Sequence, residues 1–421
     1  MARVCRIALL LILLVLSACT AQPTAQTATE VPVSPPQGVT ASPGFPPLAP
    51  TNITTGCVTD YDPTRDYFPQ KITLTEAEGF HVEYFNHYKV VTVDAPWPGA
   101  DQPIRYVLVQ CGTPAPSDPT LADVPIIEVP IKSIVTMSTT ELVPLIQVNA
   151  LDRLVGVSSF NSVSSAEVRE LINANKLIEV GNGSEVNVEL LINLQPDVVM
   201  TSASGNADHD AHPKLSEAGI HVVFDSAWLE TTPLGRAEWI KYMGLFVNQE
   251  TAAEHTFAEM VDRYTAMAAK ARAVTDKPTV LVGFTYDGTW YVSGGKGYAA
   301  QLLADAGANY LWANDDSLGS LQLSFETVFD RAHDADFWVN ASAYWFSLAD
   351  VRNEDERYTQ FAAFQNGTIY NYTARVNEHG GNDYWESGVA HPDVVLADLI
   401  KIFHPDLVPD HELYYYQRLE P

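Results

Sequence analysis

The segment NADHDAHPKL places Asp208, His209, Asp210 and His212 within five residues, and Glu378, His379 and Asp383 form a second carboxylate and imidazole group far downstream. Side chains of these types bind divalent cations, and two such groups on separate segments could share one ion. Their spacing matches no HExxH pattern, so zinc-assisted hydrolysis has no motif behind it. Serine nucleophilic chemistry lacks a GxSxG elbow. The turn SGGKG, Ser293 to Gly297, lacks the first glycine and the final Ser/Thr of a phosphate loop; it suits a helix start at Tyr298 or a close backbone approach to a ligand. Exposed loops collect Asp and His freely. No catalytic residue, no enzymatic activity and no resident metal is therefore expected.

Composition narrows the partner. Fifty-two Asp and Glu against 24 Lys and Arg give a net charge of −28, which excludes the clustered cations that nucleic-acid binding requires. With 46% hydrophobic residues the chain folds. It begins MARVCRIALLLILLVLSACT, in which Arg3 and Arg6 precede a short apolar run from Ile7 to Leu16, the pattern of a secretory signal rather than a membrane span. The following LSAC resembles the bacterial lipobox, so residues 1–18 are expected to be removed and Cys19 lipidated. Loss of Arg3 and Arg6 makes the mature charge −30. Anionic lipid repels such a body, which leaves the acyl group to anchor it outside the cytoplasm. Residues 19–56, rich in Thr, Ala, Gln and Pro, read as a disordered tether. Export to an oxidising compartment predicts a disulfide between the remaining pair, Cys57 and Cys111.

Hydrophobic periodicity supplies the elements. FHVEYF, YKVVTVDA and IRYVLVQ predict a small antiparallel β-rich module over residues 57–130. From residue 131 to 234 strands alternate with helices, which predicts a parallel α/β lobe. Connecting helices follow over 235–276, the second with Phe257, Met260, Val261, Tyr264, Met267, Ala268 and Ala271 on one stripe, and a second α/β lobe occupies 277–421. The fold class is α/β: two doubly wound lobes joined by a long helix, preceded by the β-rich module. An internal echo supports duplication, because Glu189 and Glu326 each open a helix eight residues before an Asp, Asp197 and Asp334.

KSIVTMSTTELVPLIQVNALDRLVGVS, NVELLINLQPDVVM, PLGRAEWIKYMGLF, YVSGGKGYAAQLLADAGANYLW and GGNDYWESGVAHPDVVLADLIKIFHPDL occur in this order. With the lipobox and the two-lobe plan, they resemble the substrate-binding lipoproteins of bacterial ABC importers, in the helical-backbone class that carries ferric siderophores, haem or cobalamin. The resemblance runs from about Ile126 to Leu407 and leaves the role of the 57–130 module open. It implies a ligand between the lobes, an iron-siderophore-type chelate, with no intrinsic cofactor. It also implies delivery by a monomer to an ABC permease and its ATPase. The loops it assigns to the cleft contain Thr136, Ser138, Ser202, Trp228, Tyr286, Trp290, Tyr298, Tyr344, Trp345, Tyr384 and Trp385, whose flat rings suit a large ring-containing ligand. Glu189 and Glu326 fall where this family docks onto permease arginines, one from each lobe. Lys296 is the basic residue those loops offer, so a neutral or weakly charged ligand is expected. The competing readings are a zinc, manganese, haem or cobalamin carrier, and a surface lipoprotein that transports nothing.

Overall fold

The computed structural model describes residues 51–421. The signal, Cys19 and nearly all of the expected tether lie outside them. The folded body begins before Cys57, which shortens the tether at its C-terminal end. Asn52 is buried, donating from Nδ2 to the Gln70 carbonyl and to Glu250 Oε2, each at 2.8 Å. A buried polar side chain with both its donors satisfied belongs to the core rather than to a linker.

Strands β1 (Phe80–Tyr84), β2 (Tyr88–Val93) and β3 (Ile104–Gln110) form an antiparallel meander. β4 (Ile126–Val129) then pairs with β3 in parallel, so the module is mixed and not purely antiparallel as its short runs suggest. Nor is the module separate from the first lobe. Phe80, Val91, Tyr106 and Leu108 share one core with Ile134 and Leu142 of that lobe and with Trp239, Tyr242 and Phe246 of the connecting helices. Buried Lys89 extends from β2 to Glu250 Oε1 at 2.8 Å, the Leu245 carbonyl at 2.6 Å and Asn248 Oδ1 at 2.9 Å. Glu238 accepts the backbone N–H groups of Thr75, Glu76 and Ala77, and Glu230 those of Glu78 and Gly79. These charges are buried with full sets of partners, the condition under which burial is tolerable.

The first lobe carries β5 (Ile134–Thr136), β6 (Leu154–Val157), β7 (Ile178–Glu179), β8 (Val198–Thr201) and β9 (Val222–Phe224). All pairs are parallel and the order is β7-β6-β5-β8-β9. The strand order reverses between β5 and β8, which opens a crevice beyond their C-terminal ends. The second lobe contributes β10 (Thr279–Val282), β11 (Thr285–Tyr286), β12 (Thr289–Ser293), β13 (Asn309–Tyr310), β14 (Ser320–Leu323), β15 (Phe337–Val339), β16 (Ile369–Asn371) and β17 (Gln417–Arg418). Its main sheet runs β13-β10-β15-β16-β17, with β17 antiparallel, while β11, β12 and β14 form a separate antiparallel sheet.

The helix Glu250–Arg272 has 23 residues, about 35 Å of rise. Its buried stripe changes core midway: Ala253, Phe257 and Met260 pack in the first lobe's core, and Tyr264, Ala268 and Ala271 in the second's. One rigid rod therefore serves both lobes.

The two lobes share one local device, but its acidic residue in the second lobe is not the expected one. Asp197 accepts the N–H groups of Lys132 and Ser133 while Ser133 Oγ accepts the Asp197 N–H. The second lobe repeats this clasp with Asp336 and Thr279, in both directions at 2.7 and 3.0 Å, and not with Asp334. Each clasp pins the first strand of a lobe to the strand beside it.

Candidate ligand-binding cleft

The loops beyond β5, β8 and β9 each receive a local device that fixes them. After β5, Ser138 and Glu141 form a capping box: Ser138 Oγ accepts the Thr140 N–H, and Glu141 Oε2 accepts those of Met137 and Ser138. Glu141 is 1% exposed, its Oε1 has no partner, and burial pushes its carboxyl well above the usual range. After β8, Asp210 holds the Ser204 N–H and Oγ and the Gly205 N–H at 2.8–3.0 Å. After β9, Asp225 Oδ1 accepts the Ala227 N–H at 2.9 Å, and burial pushes this carboxyl up to about 6.

These loops face the second lobe across two adjoining cavities of about 360 and 550 Å³. Trp228 from the first lobe, Arg236 from the helix Pro233–Glu238, and Trp385 from the second lobe line both cavities. Arg236 donates from Nε to the Glu230 carbonyl at 3.1 Å and from Nη2 to the Trp228 carbonyl at 2.8 Å, and its guanidinium lies 4.0 Å from the Tyr298 ring centre. One side chain thus holds the Trp228 turn and reaches the other lobe. Tyr372 stacks on Tyr384 at 4.8 Å and meets Trp385 edge-on at 5.6 Å, so Trp385 rests on an aromatic base.

Of the residues expected in the cleft, Ser138, Ser202, Trp228 and Trp385 line the smaller cavity, and Tyr298 joins Trp228 and Trp385 in the larger. Others go elsewhere. Trp290 and Trp345 are 0% and 1% exposed in the second lobe's core, which corrects their assignment to the ligand. The Trp290 indole N–H donates to the Val282 carbonyl and its ring stacks on Trp338 at 5.5 Å. Thr136 is enclosed at the end of β5, and Tyr384 is buried beneath Trp385 and Tyr372; neither lines either of these two cavities. Tyr286 and Tyr344 are widely exposed and line neither cavity. Arg236 is a cleft residue that sequence reasoning missed, although it stands within PLGRAEWIKYMGLF. The Thr232 cap and Pro233 mark its helix, but nothing local shows where a helical arginine will reach.

Three members of the Asp and His groups serve the scaffold. Asp210 staples its own loop, His212 stacks on Trp97 at 5.3 Å, and Asp383 pairs with Arg375 at 2.7 Å. His209 lines the smaller cavity. Among the described residues no group of three or more His, Cys, Asp or Glu is placed to hold a metal ion. Glu189 and Glu326 are exposed on helix first turns capped by Asn187 and Ser324, and Glu326 lies 3.8 Å from Arg357. Cys57 and Cys111 have Cα atoms 4.9 Å apart, a separation that a disulfide spans. No helix among the described residues is long and apolar enough to cross a membrane.

A family model described as periplasmic binding protein matches residues 134–376. An uncharacterized lipoprotein of Methanocaldococcus jannaschii is 28% identical over 301 residues, 69% of each chain. A cobalamin-binding protein of Halobacterium salinarum is 28% identical over 205 residues, 48% of this chain and 52% of its own. The crystal structure of an ABC transporter substrate-binding protein from Listeria monocytogenes superposes with a TM-score of 0.50 at 18% identity, covering 65% of this chain and 99% of that one, which is a likeness of fold.

Proposed function

The chain belongs to the periplasmic binding protein family, and on that premise we propose that it is the capture component of an ABC importer. It takes a large ring-containing metal chelate of the iron-siderophore type between its lobes and delivers it to a membrane permease. The observation that carries this reading is the placement of Trp228 and Trp385, one from each lobe, on the walls of the same cavities with Arg236 between the lobes. Rigid aromatic walls give contact area at little entropic cost, and the guanidinium supplies a fixed donor and charge. Arg236 revises the charge expectation: the cleft has a cation on its wall, so it can take ligands with anionic groups. A corrinoid is the second reading, favoured by the cobalamin-binding relative.

Cys19 would carry the lipid anchor, in line with the lipoprotein relative, and Glu189 and Glu326 would meet the permease. The test is a tryptophan-fluorescence titration of the soluble body, residues 51–421, with ferrioxamine, haemin, cyanocobalamin and Zn²⁺. Saturable quenching by a chelate and none by Zn²⁺ is expected. Tight Zn²⁺ binding that disappears in His209→Ala, with no response to any chelate, overturns the proposal.

A further inference from the structure

The N-terminal module reaches the cleft through its β2–β3 connection. Trp97 stacks on His212 at 5.3 Å with an 18° interplanar angle and meets Phe224 edge-on at 5.6 Å, while His212 and Phe224 touch each other at 5.1 Å. These three rings tie the connection to the helix after β8 and to the last residue of β9. The backbone of the 201–211 loop comes so close that a Cβ on Gly205 would stand 2.7 Å from Trp97 Cδ1, and Gly205 has a φ of +82°. A side chain there would clash and would strain the backbone as well.

Two hydrogen bonds repeat the attachment on either side. Ser226 Oγ, buried, donates to the Pro96 carbonyl at 3.0 Å, and the Phe224 N–H donates to Tyr106 Oη on β3 at 3.2 Å. Ser226 lies between Asp225 and Ala227, and both of those residues line the smaller cavity. The next residue of the connection, Pro98, lines the larger cavity together with Trp228, Tyr298 and Trp385. The same short turn therefore braces two ligand loops from behind and supplies a third wall from the side.

We propose that the Trp97 connection is a positioning element of the ligand site. Trp97 sets the 201–211 and 225–228 loops, and Pro98 bounds the space open to the ligand, so the module contributes to which chelates fit. This rests on the reading of the interlobe cleft as the ligand site. A module present only for stability would act through β2 and β3, whose inner faces and buried Lys89 already bind it to the helices. Trp97 lies outside both strands and is only partly buried.

The test compares Trp97→Ala, Trp97→Phe and Pro98→Gly in the soluble body, with ferrioxamine, haemin and cyanocobalamin as probes and amide hydrogen exchange as a second readout. Trp97→Ala is expected to weaken the bound probe about tenfold and to speed exchange in 201–211 and 225–228, leaving β2 and β3 protected. Trp97→Phe restores most of the affinity, and Pro98→Gly changes the ranking of the probes. Wild-type affinity in Trp97→Ala overturns the inference, as does slow exchange of both loops in that variant. If the wild type binds none of the probes, the cleft reading fails by itself, and the exchange result still decides whether Trp97 sets the loops.

Discussion

The Arg236 guanidinium lies 4.0 Å from the centre of the Tyr298 ring, joining the helix that follows the first lobe to the first residue of a helix in the second. Its Nε and Nη2 donate to the carbonyls of Glu230 and Trp228. The residue is thus both a cation lining the cleft and the support of one of its aromatic walls. Arg236→Gln removes the charge and keeps a donor. It should weaken an anionic ferric tris-catecholate about tenfold and cyanocobalamin by less than about threefold, measured by fluorescence titration. Equal losses for both probes would show that Arg236 acts only through Trp228.

The two kinds of tryptophan should separate cleanly. Trp228→Ala and Trp385→Ala each lower chelate affinity about tenfold and reduce ligand-induced quenching, with small changes in Tm. Trp290→Ala instead opens a cavity among Trp338, Phe325, Tyr358 and Phe361 and should cost about 3–5 kcal/mol of stability. Denaturant unfolding and titration of the three variants check this; loss of affinity in Trp290→Ala at full stability would contradict the assignment.

Glu386 joins the lobes on a second side. Buried in the second lobe, it accepts the N–H groups of Ser164 and Ser165 at 2.6 and 2.8 Å, at the start of the first lobe's helix Ala166–Asn173. Asn377 adds donors to the carbonyls of Asn161 and Val163, each at 3.0 Å. Glu386→Ala orphans two amide donors and should cost about 1–3 kcal/mol. Faster exchange at residues 164–168 is the local signature, and unchanged protection there would refute the latch.

Asp225 gives a pH dependence with a definite sign. Its carboxyl, normally near 3.8, is pushed up to about 6 by burial, so between these values the folded chain holds a proton that the unfolded chain has lost. Stability from this group is therefore full below about pH 4 and declines as pH rises to about 6. Asp225→Asn keeps an acceptor for the Ala227 N–H, should raise Tm by about 2 °C at pH 7.5 and should have almost no effect near pH 4. A Tm difference independent of pH would rule out this titration.

A disulfide between Cys57 and Cys111 would close a loop over a sequence separation of 54 and stabilise the fold by about 4 kcal/mol in the chain-entropy model. Intact mass of the oxidised soluble body should be two hydrogens below the reduced mass. Two free thiols after oxidative folding would dismiss the bond.

The sequence by itself determined the class of fold and the order of lobe, helix and lobe. Those features rest on local periodicity: short apolar runs alternating with amphipathic segments, and a stripe of 3.6-residue period on the helix Glu250–Arg272. Only the tertiary structure decided which aromatic faces which way. Trp228 and Trp290 both stand near strand ends, yet one is 43% exposed and the other is sealed by rings from three other segments. It alone also decided that Arg236 enters the cleft and that the module belongs to the first lobe. Lys89 meets Glu250 across 161 positions, and Trp97 meets His212 across 115. Pairings of that range leave no periodic trace, because each partner is chosen by packing and the need to satisfy buried charge rather than by its neighbours in the chain.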